Sequence, residues 1–224
     1  MNALDAVILD LDGTMLDTTE SLCSAVASAA NQCVGSLNLM GPDILTKYPG
    51  LYGGPLDEFH DRIVVPHCPN LTDDDAHKAS YRKFVDLFLE AVKSTPPSPL
   101  FADVLEALEK LRKEHSNLKI AVATTKPTRT AEGDLTSASV PDTLRPMLDA
   151  VQGTDPGMSP KPSPDVILAA ASKVGADVCK TIYVGDTPRD SAAARAAGCV
   201  ASLTVRRDGG KCRDKLGADW LISR

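Results

Sequence analysis

Short continuous apolar runs recur along the chain, and a polar loop follows each of them. Runs of this length that are rich in β-branched residues predict strands buried on both faces of a sheet. The segments with this pattern are 6–9, 118–123, 181–184 and 200–205. Apolar residues at helical spacing lie in 101–111, 164–174 and 190–197. Strands that alternate with helices predict an α/β fold, with a Rossmann-like parallel sheet and helices on both faces.

The stretch from residue 17 to residue 96 has a different pattern. Apolar residues repeat at helical spacing in 22–29 and in 81–92, whereas only Ile63-Val64-Val65 resembles a buried strand. The proline-rich segment 96–99 forms a stiff boundary. We therefore predict a helical domain, residues 17–96, inserted into an α/β core made of residues 1–16 and 97–224.

Composition narrows the class of protein and its partners. The chain has 224 residues, 43% of them hydrophobic and 24% charged, which is typical of a globular protein. The net charge of −6 and the lack of a basic patch argue against a nucleic-acid partner. No apolar run approaches the ~18 residues of a membrane helix, so no membrane association is expected. The start of the chain lacks a signal-peptide pattern and the six cysteines are scattered, which together predict free thiols and a cytoplasmic location.

Acidic residues follow the first predicted strand. Ligands bind outside the carboxyl ends of strands in open parallel sheets. Asp10 and Asp12 alternate along an extended segment, so their side chains point the same way. Two converging carboxylates repel each other unless a cation or a proton lies between them. The alternative is a structural turn that ends the strand, a common use of Asp and Gly.

Two further polar clusters suit an anion. Thr124 and Thr125 follow the strand at 118–123 and could hold an anion through a hydroxyl and backbone amides. The alternative for Thr124 is a helix N-cap. Lys161 is held by the prolines that follow it and could neutralise the charge of a phosphate. The alternative for Lys161 is a solvated surface charge.

A fourth cluster supplies more carboxylates. Asp186 lies at a strand end and Asp190 four residues further on, so both can face one pocket if a helix starts between them. Carboxylate oxygens suit Mg²⁺, although helix capping is the alternative role. The histidines are His60, His67, His77 and His115. They are dispersed along the chain, so we expect no site for a softer metal and treat them as structural or surface residues.

The four clusters, in this order, resemble the haloacid dehalogenase superfamily, in its phosphatase branch with a helical cap after the first strand. The resemblance covers the whole α/β core, and in the insert it is limited to helical character and Gly53-Gly54-Pro55. The residues that carry it are Asp10-Leu11-Asp12-Gly13-Thr14-Met15-Leu16-Asp17, Thr124-Thr125-Lys126-Pro127, Lys161-Pro162-Ser163-Pro164-Asp165 and Gly185-Asp186-Thr187-Pro188-Arg189-Asp190.

The resemblance implies specific roles for these residues. Asp10 would be the nucleophile that forms an aspartyl phosphate, and Asp12 the general acid and then the general base. Thr124 and Lys161 would bind the phosphoryl oxygens. Substrate would also contact Thr125 and Gly53. The Mg²⁺ ligands would be Asp10, Asp12 and Asp186, together with Asp190, which would either bind the ion directly or orient its neighbours.

The implied function is a Mg²⁺-dependent phosphatase acting on a small phosphorylated metabolite, with phosphoglycolate phosphatase as the nearest resemblance in layout. An acid at Asp12 favours phosphoryl transfer over dehalogenation, which has no leaving alcohol to protonate. The alternatives are a sugar phosphomutase of the same branch and an inactive binding protein on this fold. Sugar phosphates, nucleotides and pyrophosphate are alternative substrates. Candidate contacts in the cap are Lys47, Tyr48 and Arg62, for which a solvated surface position is the alternative. The expected assembly is a monomer or a homodimer.

Overall fold

The computed structural model describes residues 4–48, 50–205, 207–208 and 211–212. The strands are β1 (Ala6–Leu9), β2 (Lys119–Ala123), β3 (Ala150–Gln152), β4 (Thr181–Gly185), β5 (Ala201–Thr204), β6 (Arg207–Asp208) and β7 (Lys211–Cys212). The α-helices are α1 (Thr19–Val34), α2 (Gly41–Lys47), α3 (Leu56–Phe59), α4 (Asp74–Lys93), α5 (Ala102–Glu114), α6 (Thr128–Leu135), α7 (Asp165–Val174) and α8 (Pro188–Ala197). A π-helical turn covers His60–Val64, and 3₁₀ turns cover Val65–His67, Arg145–Met147 and Val178–Lys180.

Five strands form one parallel sheet in the order β3-β2-β1-β4-β5. This order is that of a Rossmann-type sheet, in which the chain adds β2 and β3 on one side of β1 and then crosses to add β4 and β5 on the other, which creates a switch point beside β1. The α/β fold with a parallel sheet is therefore confirmed. The strands β6 and β7 form a separate antiparallel pair.

The strand register determines which loops meet at the switch point. Leu9 pairs with Val122 on one side and with Val184 on the other. The Asp10 backbone N–H extends the pairing, since it donates to the carbonyl of Val184 at 2.8 Å. The loops that follow β1, β2 and β4 consequently start at the same edge of the sheet.

Helices cover both faces of this sheet. On one face, small residues of α7 and α8 lie against β1 and β4 and allow close helix–strand contact, as at Ala170 and Ala194. On the other face, Leu108 of α5, Leu135 of α6 and Ile120 of β2 belong to one buried apolar cluster. Each fully buried Leu or Ile contributes about 1.5–3 kcal/mol to the stability of such a layer.

The sequence patterns miss two elements of the core. The strand β3 has only three residues, Ala150–Gln152, which is too short for a recognisable apolar run. The helix α6 is mostly polar and buries only Ala131 and Leu135. The strand β3 forms because β2 offers it a partner strand, and α6 packs in turn against β3.

The chain divides into two compact units, one made of Met1–Asp17 and Pro97–Arg224 and the other of Thr18–Pro96. In the second unit α1 packs against α2 and α4. Its core includes Phe84 and Ile63, both fully buried. The helix α4 starts at an N-cap, Asp73, whose carboxylate accepts the backbone N–H of Ala76 at 2.8 Å.

The strand-like pattern at Ile63-Val64-Val65 is wrong as a prediction of strand. Ile63 and Val64 lie in the π-helical turn, and Val65 begins the 3₁₀ turn that follows. A short apolar run does not distinguish a strand from a buried helical turn. Among the described residues, no helix combines the length and the apolar character that crossing a membrane requires.

Candidate active site

The loop after β1 turns back sharply at the sheet edge. The Leu11 carbonyl accepts the N–H groups of Met15 and Leu16, both at 2.9 Å. Gly13 adopts a φ of 72°, in the left-handed region that favours glycine. Asp10 is buried at the start of this loop. The turn and the carboxylate site, which were alternatives in the sequence, therefore occur in the same segment.

Lys161 is buried beside two carboxylates. Its ammonium Nζ lies 2.7 Å from Asp10 Oδ1, 2.5 Å from Asp190 Oδ1 and 3.2 Å from the Tyr183 hydroxyl. Only 3% of Lys161 is exposed, so it is not a surface charge. Burial by itself lowers the pKa of a lysine, but the Asp10 and Asp190 carboxylates outweigh this effect and raise the pKa of Lys161. The ammonium stays charged throughout the physiological range.

Asp190 is held by donors on both of its oxygens. Oδ2 accepts the backbone N–H of Thr187 at 2.9 Å and its hydroxyl at 2.5 Å, which also caps α8. Oδ1 accepts from Lys161, and the Tyr183 hydroxyl lies 3.3 Å from the same oxygen. Burial raises the pKa of Asp190, but Lys161 and these hydrogen bonds lower it further than burial raises it. Asp190 is therefore an ionised anchor for Lys161.

Glycine is required just before this anchor. A Cβ atom on Gly185 would lie 2.4 Å from both Cβ and Cγ of Asp190. Real Cβ atoms do not approach other carbon atoms so closely, so any side chain at Gly185 would displace the carboxylate. The close approach of β4 and α8 thus depends on this residue.

Asp10 and Asp186 have carboxylates whose negative charge is poorly compensated. Burial raises the pKa of Asp10 well above its ordinary value, and Asp190 and Asp186 add to the increase while Lys161 opposes it. Burial, followed by the charge of Asp190, raises the pKa of Asp186 to about 7. The Thr14 hydroxyl donates to Asp186 Oδ1 at 3.3 Å. Asp10 Oδ1 pairs with the Lys161 ammonium at 2.7 Å.

This donor set fits a divalent cation. Asp10, Asp186 and Asp190 each offer one carboxylate oxygen, and these oxygens all lie within 4.8 Å of one another. Hard oxygen donors are the preferred ligands of Mg²⁺. Since both oxygens of Asp190 already have donors, Asp10 and Asp186 are the more available ligands. A cation beside them would offset the repulsion that raises their pKa values.

Asp12 has a partner that the sequence analysis missed. Lys126 Nζ lies 2.7 Å from Asp12 Oδ1 and 2.6 Å from Asp134 Oδ2. Burial lowers the pKa of Lys126, but the two carboxylates outweigh it and the pKa rises. The Asp12 side chain remains 19% exposed, so its carboxylate stays accessible. The position of Lys126 directly after a strand-end threonine pair was the available signal.

Thr124 follows β2 at the same edge and is buried. Its N–H donates to the Gln152 carbonyl at 3.0 Å, and its hydroxyl oxygen accepts the N–H of Lys126 at 3.3 Å. The next helix, α6, begins only at Thr128, so Thr124 is not its N-cap. Thr125 is half-buried in the same loop. The Asp155 carboxylate fixes the end of this loop, because it accepts the N–H of Thr128, the first residue of α6, at 3.0 Å.

The predicted contacts in the insert lie in the second unit. Gly53 occupies a turn with a φ of 78°. Lys47 is exposed and pairs with Asp43 at 3.0 Å, Tyr48 packs against the core of this unit, and Arg62 is exposed. The roles of these residues in substrate binding stay predictions.

A pocket of about 790 Å³ that is partly open to solvent lies between α5 and the sheet. Its lining is mostly apolar and includes Val7, Leu108 and Val184. None of the clustered residues Asp10, Lys161, Asp186 and Asp190 is in that lining, whereas Thr14, which donates to Asp186, is part of it.

Comparison with known proteins identifies the family. The family model described as "Haloacid dehalogenase-like hydrolase" matches residues 7–203. The chain therefore belongs to the haloacid dehalogenase-like hydrolase family, which confirms the resemblance predicted from its motifs.

Individual relatives match over most of the chain. A "Probable phosphatase IndB" of Dickeya dadantii is 33% identical, and the match covers 87% of this chain and 78% of the relative. A "Phosphoglycolate phosphatase" of Caulobacter vibrioides is 27% identical over 96% of this chain and 85% of the relative. The crystal structure of a "predicted phosphoglycolate phosphatase" from Haemophilus somnus 129PT is similar with a TM-score of 0.68 at 25% identity, covering 91% of this chain and 86% of that one.

Proposed function

We propose that this protein is a Mg²⁺-dependent phosphatase that hydrolyses a small phosphate monoester through an aspartyl phosphate on Asp10. The observation that carries the proposal is the buried Asp10 carboxylate, 2.7 Å from the Lys161 ammonium and grouped with Asp186 at the sheet edge. A second carboxylate, Asp12, follows two residues later and is accessible. This pairing provides both a nucleophile and an acid–base group.

In the first step, an Asp10 oxygen attacks phosphorus and the bond from phosphorus to the ester oxygen breaks. Asp12 donates a proton to the departing alcohol. Lys161 and the Thr124 hydroxyl bind the phosphoryl oxygens and offset their charge. A Mg²⁺ ion held by Asp10, Asp186 and the backbone carbonyl of Asp12 would reduce the repulsion between the carboxylate and the anionic phosphate.

In the second step, Asp12 accepts a proton from a water molecule, which attacks the same phosphorus. The bond between phosphorus and the Asp10 oxygen breaks, so that inorganic phosphate leaves and the Asp10 carboxylate is restored. Lys126 keeps the Asp12 carboxylate in position for both transfers. Asp190 acts through Lys161, which it orients.

For the substrate, we propose phosphoglycolate or a similarly small monoester, which the relatives with that name support. Thr125 and Gly53 would contact it. We also propose that the enzyme is cytoplasmic and acts as a monomer or a homodimer.

The test is a panel of phosphoglycolate, sugar phosphates, nucleoside monophosphates and pyrophosphate, with phosphate release measured in Mg²⁺ and in EDTA. We expect release that requires Mg²⁺ and is highest for a small monoester. The exposed Asp142→Asn variant is the matched control and should keep full activity, whereas Asp10→Asn should lose it. Full activity in EDTA would refute the metal role. Isomerisation of a sugar phosphate without phosphate release would indicate a mutase instead.

A further inference from the structure

Two histidines of the inserted unit lie together around one carboxylate, contrary to the expectation that all histidines are dispersed. Asp61 Oδ1 lies 3.2 Å from His60 Nδ1 and 2.9 Å from His77 Nε2. The two imidazole rings are edge to face, with their centroids 5.1 Å apart. The expectation fails because the packing of α4 against the π-helical turn brings together residues that are 16 positions or more apart in the chain.

The cluster has a buried hydrogen-bond partner on one side and is open to solvent on the other. His60 is fully buried, and its second nitrogen, Nε2, lies 2.9 Å from the Ser80 hydroxyl. That contact fixes the ring so that Nδ1 faces Asp61. Metal-binding histidines have such an outer partner on the nitrogen that does not bind the metal. The side chains of Asp61 and His77 are 53% and 41% exposed, so an ion can reach the cluster from solvent.

The distances match those of a metal site. In a tetrahedral zinc site with bonds of about 2.0 Å, neighbouring ligand atoms lie about 3.3 Å apart. The two nitrogen–oxygen distances here are 3.2 and 2.9 Å, and the three potential ligand atoms all lie within 4.8 Å of one another. Small movements of the three side chains would therefore suffice for their ligand atoms to surround an ion.

We propose that His60, Asp61 and His77 form a second metal site, specific for a transition-metal dication such as Zn²⁺. Two imidazoles and one carboxylate are borderline donors that suit Zn²⁺ and disfavour Mg²⁺, which prefers oxygen ligands. Three protein ligands leave the fourth position to water. The ion would join the π-helical turn to the first turns of α4 and so stabilise the inserted unit.

The test is a titration of the chelator-treated full chain with Zn²⁺, followed by calorimetry, and with Co²⁺, followed by its visible spectrum. Saturating Mg²⁺ is present throughout so that it occupies the carboxylates at the sheet edge. We expect one Zn²⁺ per chain and a tetrahedral Co²⁺ spectrum without the charge-transfer band of a thiolate ligand. That band would reveal binding by a cysteine instead and would overturn the proposal.

Variants at the exposed Asp61 and the partly exposed His77 avoid the risk of unfolding that a change of the buried His60 carries. His77→Ala and Asp61→Ala should each abolish saturable Zn²⁺ binding. Ser80→Ala should weaken binding roughly tenfold, because it removes only the outer partner of His60. The control is His67→Ala, an exposed histidine of the same unit, which should bind like the wild type.

Two results would contradict the proposal. One is no saturable Zn²⁺ binding by the wild type, which would mean that the cluster is only a hydrogen-bonded triad. The other is an unchanged affinity in both His77→Ala and Asp61→Ala, which would place the ion elsewhere. Thermal unfolding of each variant without metal verifies that the inserted unit is folded.

Discussion

Replacing Lys161 by methionine tests the electrostatic account of the site. The substitution keeps a long, unbranched side chain but removes the ammonium that lies 2.7 Å from Asp10 and 2.5 Å from Asp190. Both carboxylates then stay buried without their common cation. Removing one partner of a buried ion pair in this way costs about 3–5 kcal/mol. We expect the free energy of unfolding to fall by an amount of this order at pH 8 in the absence of metal.

The loss should depend on pH in a predictable direction. The pKa of Lys161 is raised by folding, so its stabilising contribution is fully present below the ordinary lysine pKa and is lost only at strongly alkaline pH. Without Lys161, the already raised pKa of Asp10 should rise further. Folding then favours protonated Asp10, so the variant loses stability as the pH rises through the pKa of Asp10 in the folded protein. The deficit of Lys161→Met should therefore be smaller at pH 5 than at pH 8.

Urea unfolding followed by circular dichroism measures this difference. The midpoint should decrease by about 1–2 M at pH 8, given the usual dependence of stability on urea. The matched control is Lys173→Met, whose ammonium contacts only the Val151 carbonyl at 3.2 Å among the described hydrogen bonds, and which should change little. Added Mg²⁺ should recover part of the stability of Lys161→Met. Equal stability of the variant and the wild type at pH 8 would refute the reasoning.

Three further predictions concern the residues around this centre. Because the pKa of Asp186 is about 7, Mg²⁺ must displace a proton from this carboxyl group at lower pH. The affinity of the protein for Mg²⁺ should therefore be on the order of tenfold weaker at pH 6 than at pH 8. An affinity measured by calorimetry that does not depend on pH would contradict this. Gly185→Ala should displace Asp190 and abolish activity, whereas Gly133→Ala, where nothing lies within 4 Å of the new Cβ, should stabilise α6 by about 0.5–1 kcal/mol. Thermal unfolding and steady-state kinetics of both variants test this, and an active Gly185→Ala enzyme would contradict it. Lys126→Met should lower kcat by up to about 100-fold with little change in KM, because Asp12 loses the cation that positions it; steady-state kinetics measure this, and an unchanged kcat would remove Lys126 from the account.

The strands of the core were predictable because burial on both faces leaves a strong trace in sequence. The runs around Ile8, Ile120 and Tyr183 are continuous and apolar, and each becomes a strand of the parallel sheet. The strand β3 leaves no such trace, because three residues suffice when a partner strand is already present. Segment 63–65 shows the opposite error, since its apolar residues are buried in helical turns.

The sequence predicts that the charged residues lie at strand ends, but not which of their side chains contact one another. Asp10, Lys161 and Asp190 come from distant parts of the chain, and the parallel sheet brings them to one edge. The Tyr183 hydroxyl, which donates to the Ala123 carbonyl at 2.9 Å beneath them, carried no sequence signal beyond its place in a strand. The contact between Lys126 and Asp12 was also missed, because the place of Lys126 after the threonine pair does not by itself show which carboxylate its ammonium reaches.

The most direct test of the central claim is to trap the phosphoryl group on Asp10. In Asp12→Asn, the base for the second step is missing, whereas p-nitrophenyl phosphate needs no acid for the first. Rapid mixing with Mg²⁺ should give a burst of roughly one equivalent of p-nitrophenol per chain. Mass spectrometry of the acid-quenched protein should locate the phosphoryl group on Asp10, and the double variant with Asp10→Asn should show neither. A burst that persists in the double variant, or a phosphoryl group on another residue, would contradict the account.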